Sequence, residues 1–130
     1  MTIFKQLTMK ALLMLIFGAL LQGGCAPQPT FTSVEAEAFA QTIADSAVQL
    51  VDVRTAEEYA EGHIPGAVNM DVMAEGFGEQ IKALDKQRPV ALYCRSGRRS
   101  KRAAEQVAKA GYQVVELNGG ILSWKGALEQ

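Results

Sequence analysis

Apolar positions along the chain change their period several times, and each change marks an element. The run Val48-Gln49-Leu50-Val51-Asp52-Val53 is rich in β-branched residues and predicts a covered strand, with Asp52 near its exit and polar Arg54 just beyond. Val90-Ala91-Leu92-Tyr93 is an unbroken apolar run that predicts a buried strand delivering Cys94. Ala67 to Met70 reads as a short strand, and Tyr112 to Leu117 alternates into another. Between these the spacing becomes helical. Thr32 to Glu35 reads as a capping box before a helix with Val34, Ala38, Phe39 and Ile43 on one face. Thr55 to Glu58 is a second capping box, opening a short helix that Gly62 is expected to close in a left-handed conformation. Phe77, Ile81 and Leu84 recur at helical spacing. Ser100 to Ala110 places Ala103, Ala104, Val107 and Ala108 on one side, with Gly111 as terminator.

Strands alternating with helices predict an α/β fold: a parallel sheet with helices on both faces, in three layers. Sites in such sheets gather at the carboxyl ends of the strands, where Arg54, Cys94 and the turn Asn118-Gly119-Gly120 would all lie. The chain has 130 residues, 48% hydrophobic and 21% charged, which accommodates one core and one domain. A formal net charge of −1 excludes a general nucleic-acid binder; positive charge is concentrated in one short arginine-rich loop. Two cysteines, Cys25 and Cys94, are too few for a disulfide framework, and each has its own context.

Cys25 follows an address. Lys5 and Lys10 precede an apolar stretch from Ala11 to Leu21, and Gly23-Gly24 stand directly before the cysteine, which is a secretory signal layout. The apolar run is about half of the roughly 20 residues that a spanning helix needs. Leu21-Gln22-Gly23-Gly24-Cys25 resembles a bacterial lipoprotein signal, although Gln22 stands where that family usually has an aliphatic residue. The resemblance implies cleavage before Cys25, lipid attachment to Cys25 and a periplasmic, membrane-anchored protein. Ala26 after the cysteine implies outer-membrane sorting in a two-membrane bacterium. The expected organisation is a signal peptide over residues 1–24, a proline-containing linker over 25–30 and one domain over 31–130. Loss of the signal takes the formal charge from −1 to −3.

Cys94 stands directly after a buried strand and just before a helix. Backbone N–H groups and the helix N-terminus can converge on its sulfur there and favour the thiolate. Gly97 lets the backbone bend over the sulfur, and Ser96 is small enough to leave the approach open. Arg95, Arg98 and Arg99 surround the site with fork-shaped cationic donors, so its ligand should be a small anion. A packed core thiol is the plainer reading of Cys94, but it leaves the glycine and three arginines that follow unexplained.

Tyr93-Cys94-Arg95-Ser96-Gly97-Arg98-Arg99-Ser100 resembles the active-site loop of the rhodanese family. Leu50-Val51-Asp52-Val53-Arg54, Glu58-Tyr59 and Gly62-His63-Ile64-Pro65-Gly66-Ala67 resemble its upstream signature, and Leu117-Asn118-Gly119-Gly120 with Trp124 its downstream one. The resemblance implies a mainly parallel five-stranded sheet and a thiosulfate sulfurtransferase. In its cycle the Cys94 thiolate takes a sulfane sulfur from a small anionic donor such as thiosulfate. The persulfide then passes that sulfur to a small thiophilic acceptor, cyanide or a thiol. The backbone N–H groups of residues 95–99 would hold the persulfide's outer sulfur, and no cofactor or metal is called for. The alternatives are a persulfide carrier dedicated to a protein partner and a non-catalytic interaction domain on a membrane tether.

Cysteine phosphatases, which also use a cysteine loop, place their phosphate-holding arginine six positions after the cysteine. Ser100 occupies that position here and Arg99 comes one residue early, so the smaller ring favours sulfur over phosphate. Arg99 either binds substrate or pairs with Asp52 to hold the loop. Arg54 is expected to be structural and to face Glu58. Arg95 and Arg98 either steer substrate or are merely solvated. His63, the only histidine, lies in a Gly-His-Ile-Pro-Gly turn and is read as structural, and Tyr59 and Trp124 as core fillers.

Overall fold

The alternation of elements closes into one five-stranded sheet in which every strand pair is parallel. A computed structural model describes residues 30–130; the expected signal segment, Cys25 and the expected linker before Thr30 lie outside the described residues. In chain order the strands are β1 (Thr32–Val34), β2 (Gln49–Asp52), β3 (Val68–Asn69), β4 (Val90–Tyr93) and β5 (Val114–Leu117). The helices are α1 (Ala36–Ile43), α2 (Ala56–Glu61), α3 (Phe77–Gln80) and α4 (Arg98–Lys109), with 3-10 turns at Ile81–Ala83 and Gly120–Ser123. The spatial strand order is β1-β5-β4-β2-β3, so apolar β4 occupies the centre. All four of its residues are buried.

The two-residue period of the strands sorts their side chains into two cores. Val51, Val53, Val90, Leu92, Cys94 and Val114 pack on the face covered by α3 and α4, against Phe77, Ala103, Ala104 and Val107. Ala91, Tyr93 and Leu117 pack on the opposite face with Phe39 of α1 and Ile64, backed by the partly buried Tyr59 and Trp124. Phe39 meets both Tyr93 and Trp124 edge to face, at centroid distances of 6.4 and 6.3 Å. The three-layer arrangement is therefore present, and Cys94 continues the α4 face of β4 one step past the strand's end.

The capping box at Thr55 and Glu58 forms in both directions, the Thr55 hydroxyl accepting from the Glu58 N–H at 3.2 Å. The expected box at Thr32–Glu35 does not form. Thr32 to Val34 is instead edge strand β1, in register with Val115 to Leu117, and Glu35 is the N-cap of α1 without a side-chain cap bond. The same Thr-x-x-Glu spacing fits both states, and pairing with β5 supplies backbone bonds that a frayed helical turn cannot. Ala38 is accordingly exposed, and Ala36 joins Val34 and Ile43 against the core. Gly62 closes α2 in an extended rather than left-handed conformation, at φ 157° and ψ 136°. Helix α4 begins at Arg98, two residues before the predicted Ser100, because Gly97 at φ 103° takes the N-cap position.

Candidate active site

Strand β4 ends at Tyr93 and α4 begins at Arg98, so the loop between them must turn sharply over Cys94. Two glycine conformations make this possible. Gly97 adopts φ 103°, and its N–H donates to the Cys94 Sγ at 3.1 Å. Gly120 lies against the outside of the loop, where an added Cβ would sit 2.4 Å from the Arg95 carbonyl oxygen and 2.7 Å from that of Cys94. Those two carbonyls are engaged from the same side: Ile121 N–H donates to Cys94 O at 2.9 Å and Leu122 N–H to Arg95 O at 3.2 Å. With its carbonyls turned toward the 3-10 turn, the loop directs N–H groups inward. The Asn118-Gly119-Gly120 turn is thus a brace for the sulfur-bearing loop.

Cys94 is 1% exposed and lies at the N-terminal end of α4. Burial is the strongest single influence on its thiol and pushes its pKa up. The Ser100 hydroxyl and the N–H groups of Ser100, Gly97 and Ser96 outweigh it, so the pKa falls below the ordinary thiol value. The arrangement is a nucleophile held in a nest of donors.

The family model for the rhodanese-like domain matches residues 35–127. The chain belongs to the rhodanese-like domain family. It is 37% identical over 83 residues to the putative sulfurtransferase YtwF of Bacillus subtilis, covering 64% of this chain and 79% of that protein. It is 38% identical over 93 residues to a sulfurtransferase of Allochromatium vinosum, covering 70% of this chain and 85% of that one. A rhodanese-related protein from Thermoplasma volcanium superposes with a TM-score of 0.68 at 27% identity, over 76% of this chain and 98% of that one. The family and these sulfurtransferase relatives support sulfur transfer as the general chemistry of the chain.

Within this rhodanese-like site the arginines pair differently from expectation. Arg99 does not reach Asp52; its guanidinium forms a two-point bridge to Glu58, Nη1 to Oε1 at 2.6 Å and Nη2 to Oε2 at 2.9 Å. This bond is the main reason the Glu58 pKa falls to about 2. Arg54 pairs directly with Asp52 and not with Glu58, Nη2 to Oδ2 at 2.7 Å in a buried site, while Glu58 acts on it only as a weaker nearby charge. The reason is local: Asp52 and Arg54 are two residues apart in extended chain and share a face, whereas Glu58 opens α2 toward the loop. Arg54 also donates to the Gly62 carbonyl at 2.7 Å and lies over the Tyr93 ring at 5.8 Å. Asp52 and Arg54 thus tie the ends of β2, α2 and β4 together beneath the site. Arg95 and Arg98 are exposed, as is Ser96, while Gly97 is buried.

His63 is 5% exposed, its ring stacked on Tyr59 at 3.7 Å, and its Nδ1 lies 2.9 Å from the Tyr59 carbonyl, which agrees with a structural role. Three residues at the site escaped the sequence reading. Ser100 lies 3.4 Å from the Cys94 Sγ, and its hydroxyl donates to Glu116 Oε2 at 2.6 Å. Glu116 is fully buried and also bridges to Lys101 Nζ at 3.0 Å. The signals for the first two were present: Ser100 shares the helical face of Ala103, Ala104 and Val107, and Glu116 interrupts the apolar run Val114-Val115-Glu116-Leu117.

Proposed function

We propose that the protein is a sulfurtransferase that moves a sulfane sulfur from thiosulfate or a similar small anion to a thiophilic acceptor through a persulfide on Cys94. The observation that carries this reading is a thiol with a lowered pKa, buried under a short loop and met at 3.1 Å by the Gly97 N–H. Exposed Arg95, Ser96 and Arg98 flank the buried sulfur, and the two guanidiniums favour an anion there. In the first step the Cys94 thiolate attacks the outer sulfur of thiosulfate, the sulfur–sulfur bond of the donor breaks, and sulfite leaves with the bonding pair. In the second, cyanide or a thiolate attacks the outer sulfur of the persulfide, and Sγ departs with its pair as the thiolate. Neither step requires a base once the thiolate exists. The N–H groups of residues 95–99 are the donors available to the persulfide's outer sulfur.

Phosphoryl chemistry is the weaker fit. Ser100 at the sixth position after Cys94 turns inward to Glu116, and Arg99 is held by Glu58. We also propose that residues 1–24 export the chain and that a lipidated Cys25 tethers the domain to the periplasmic face of a membrane, on the strength of the signal layout.

The test uses the full chain purified in detergent. Thiosulfate is expected to add one sulfur to Cys94 by peptide mass, and cyanide to release it as thiocyanate. No mass gain, and no thiocyanate above a Cys94→Ser control, would refute the reading. Loading without discharge by small acceptors would move it to a dedicated carrier. For the address, Cys25→Ala is expected to abolish membrane association, and a chain that stays in the membrane refutes lipid tethering.

A further inference from the structure

The strands place a carboxylate on a largely apolar face of the sheet. Glu116 lies between Ser33 and Leu92 in the register of β1, β5 and β4, on the face that carries Cys94 and is covered by α4. It is 0% exposed. An ionised carboxylate in such a place must have its oxygens satisfied. Three groups do so: the Ser33 hydroxyl and Lys101 Nζ at Oε1, and the Ser100 hydroxyl at Oε2. From β4 it meets only the apolar Leu92 in register. Lys101 is its one charged partner among the described residues, and that lysine is itself shared with Asn118 Oδ1 at 3.1 Å. On the Cys94 side, the guanidinium of Arg99 is the nearby charge, and it is bound to Glu58.

Ser100 has a single hydroxyl proton and three neighbours that can accept it: Glu116 Oε2 at 2.6 Å, the Gly97 carbonyl at 3.1 Å and Cys94 Sγ at 3.4 Å. A bond to a carboxylate is about twice as strong as one between neutral groups, and here it is also the shortest. The proton therefore rests with Glu116, and an oxygen lone pair faces the sulfur. That arrangement suits Cys94 as a thiol, S–H donating to Oγ. The Ser100 hydroxyl supports a thiolate only when it turns toward the sulfur, the orientation in which it lowers the Cys94 pKa, so Glu116 and the sulfur compete for one proton. The same competition recurs when acceptor attack makes Sγ a leaving thiolate.

We propose that Glu116 is a positioning residue which, through Ser100, decides whether the sulfur of Cys94 faces a hydroxyl proton or a hydroxyl lone pair, and so sets the pH at which Cys94 becomes reactive. An ionised Glu116 retains the Ser100 proton and holds back thiolate formation. A neutral group at 116 releases the hydroxyl to the sulfur. This deepens the reading of Cys94 as the nucleophile, but its test requires no sulfur donor, so the two can fail separately.

The experiment measures the rate of Cys94 alkylation by iodoacetamide against pH, in the full chain carrying Cys25→Ala so that Cys94 is the sole thiol. Glu116→Gln is expected to lower the midpoint by about one unit, which is about tenfold faster alkylation well below the midpoint. In a Ser100→Ala background the same change is expected to move it far less. An unchanged or raised midpoint in Glu116→Gln overturns the proposal. An equal shift with and without Ser100 also overturns it, since that is the through-space effect of removing a charge. If Glu116→Gln does not fold, the unmutated carboxylate decides. Its infrared stretch is expected to shift as Cys94 ionises and to stop doing so in Ser100→Ala, and a stretch that never responds to Cys94 overturns the proposal.

Discussion

Arg99 and Glu58 are joined by two parallel hydrogen bonds of 2.6 and 2.9 Å, linking the first turn of α4 to the first turn of α2. Glu58 is also the closing member of its own helix's capping box, so one carboxylate fixes both a helix start and the flank of the Cys94 loop. Because the bridge holds Glu58 at a pKa of about 2, against an ordinary 4.5, its contribution to stability has a definite pH window. It is complete above the unfolded value and is lost as pH falls toward 2. Glu58→Gln keeps the box but removes the charge. The expected outcome is a loss of about 1 kcal/mol at pH 7, for a pair about a quarter exposed, that shrinks below pH 4.5. Urea midpoints of both proteins across that range check it.

Asp52 and Arg54 form a pair of the opposite kind, since both are buried and neither can turn to water. Asp52→Asn leaves a guanidinium without its countercharge, and a cost of about 3–5 kcal/mol is expected. Urea unfolding measures it. Adding Arg54→Met should recover part of the loss, because the cost belongs to the stranded charge rather than to an empty space.

Elements whose residues dictate them locally were legible in the sequence. The apolar run of β4, the capping box at Thr55 and the alanine face of α4 each needed only their own neighbours. Strand β1 was not legible, because its hydrogen bonds come from β5, 83 residues away at the Ser33–Glu116 pair. The cysteine loop could be read from Cys94, Gly97 and the arginines, but their partners could not. Which carboxylate meets which arginine depends on where α2 lies against α4, and the Ser100–Glu116 contact depends on the register of β5 beneath that helix.

Gly120 bears on the chemistry without touching it. Gly120→Ala would place a methyl group 2.4 Å from the Arg95 carbonyl at a φ of 63°, and backbone cannot yield as a flexible side chain would. The expected result is a loss of about 1–3 kcal/mol together with slower alkylation of Cys94, as the loop is pushed off its brace. Gly66→Ala is the control: φ is 86° but the space around it is open, so about 1–2 kcal/mol is lost and Cys94 keeps its reactivity. Equal effects of the two changes on alkylation would remove Gly120 from any role in shaping the loop.

Arg95 and Arg98 are exposed at the mouth of the loop, and neither is among the ion pairs that hold Arg54 and Arg99. Charges in that position act on an incoming anion at distances of about 8–10 Å at moderate ionic strength, and salt weakens them. Replacing both with serine should lower kcat/KM for thiosulfate about tenfold at low salt, with a smaller loss as salt rises. Alkylation by iodoacetamide, which is neutral, should change little, because the donors that lower the Cys94 pKa are Ser100 and the N–H groups of Ser96 and Gly97. Comparing the two reagents in the same variant separates attraction of the substrate from reactivity of the sulfur. A parallel fall in both rates would mean that these arginines shape the loop instead of drawing anions to it.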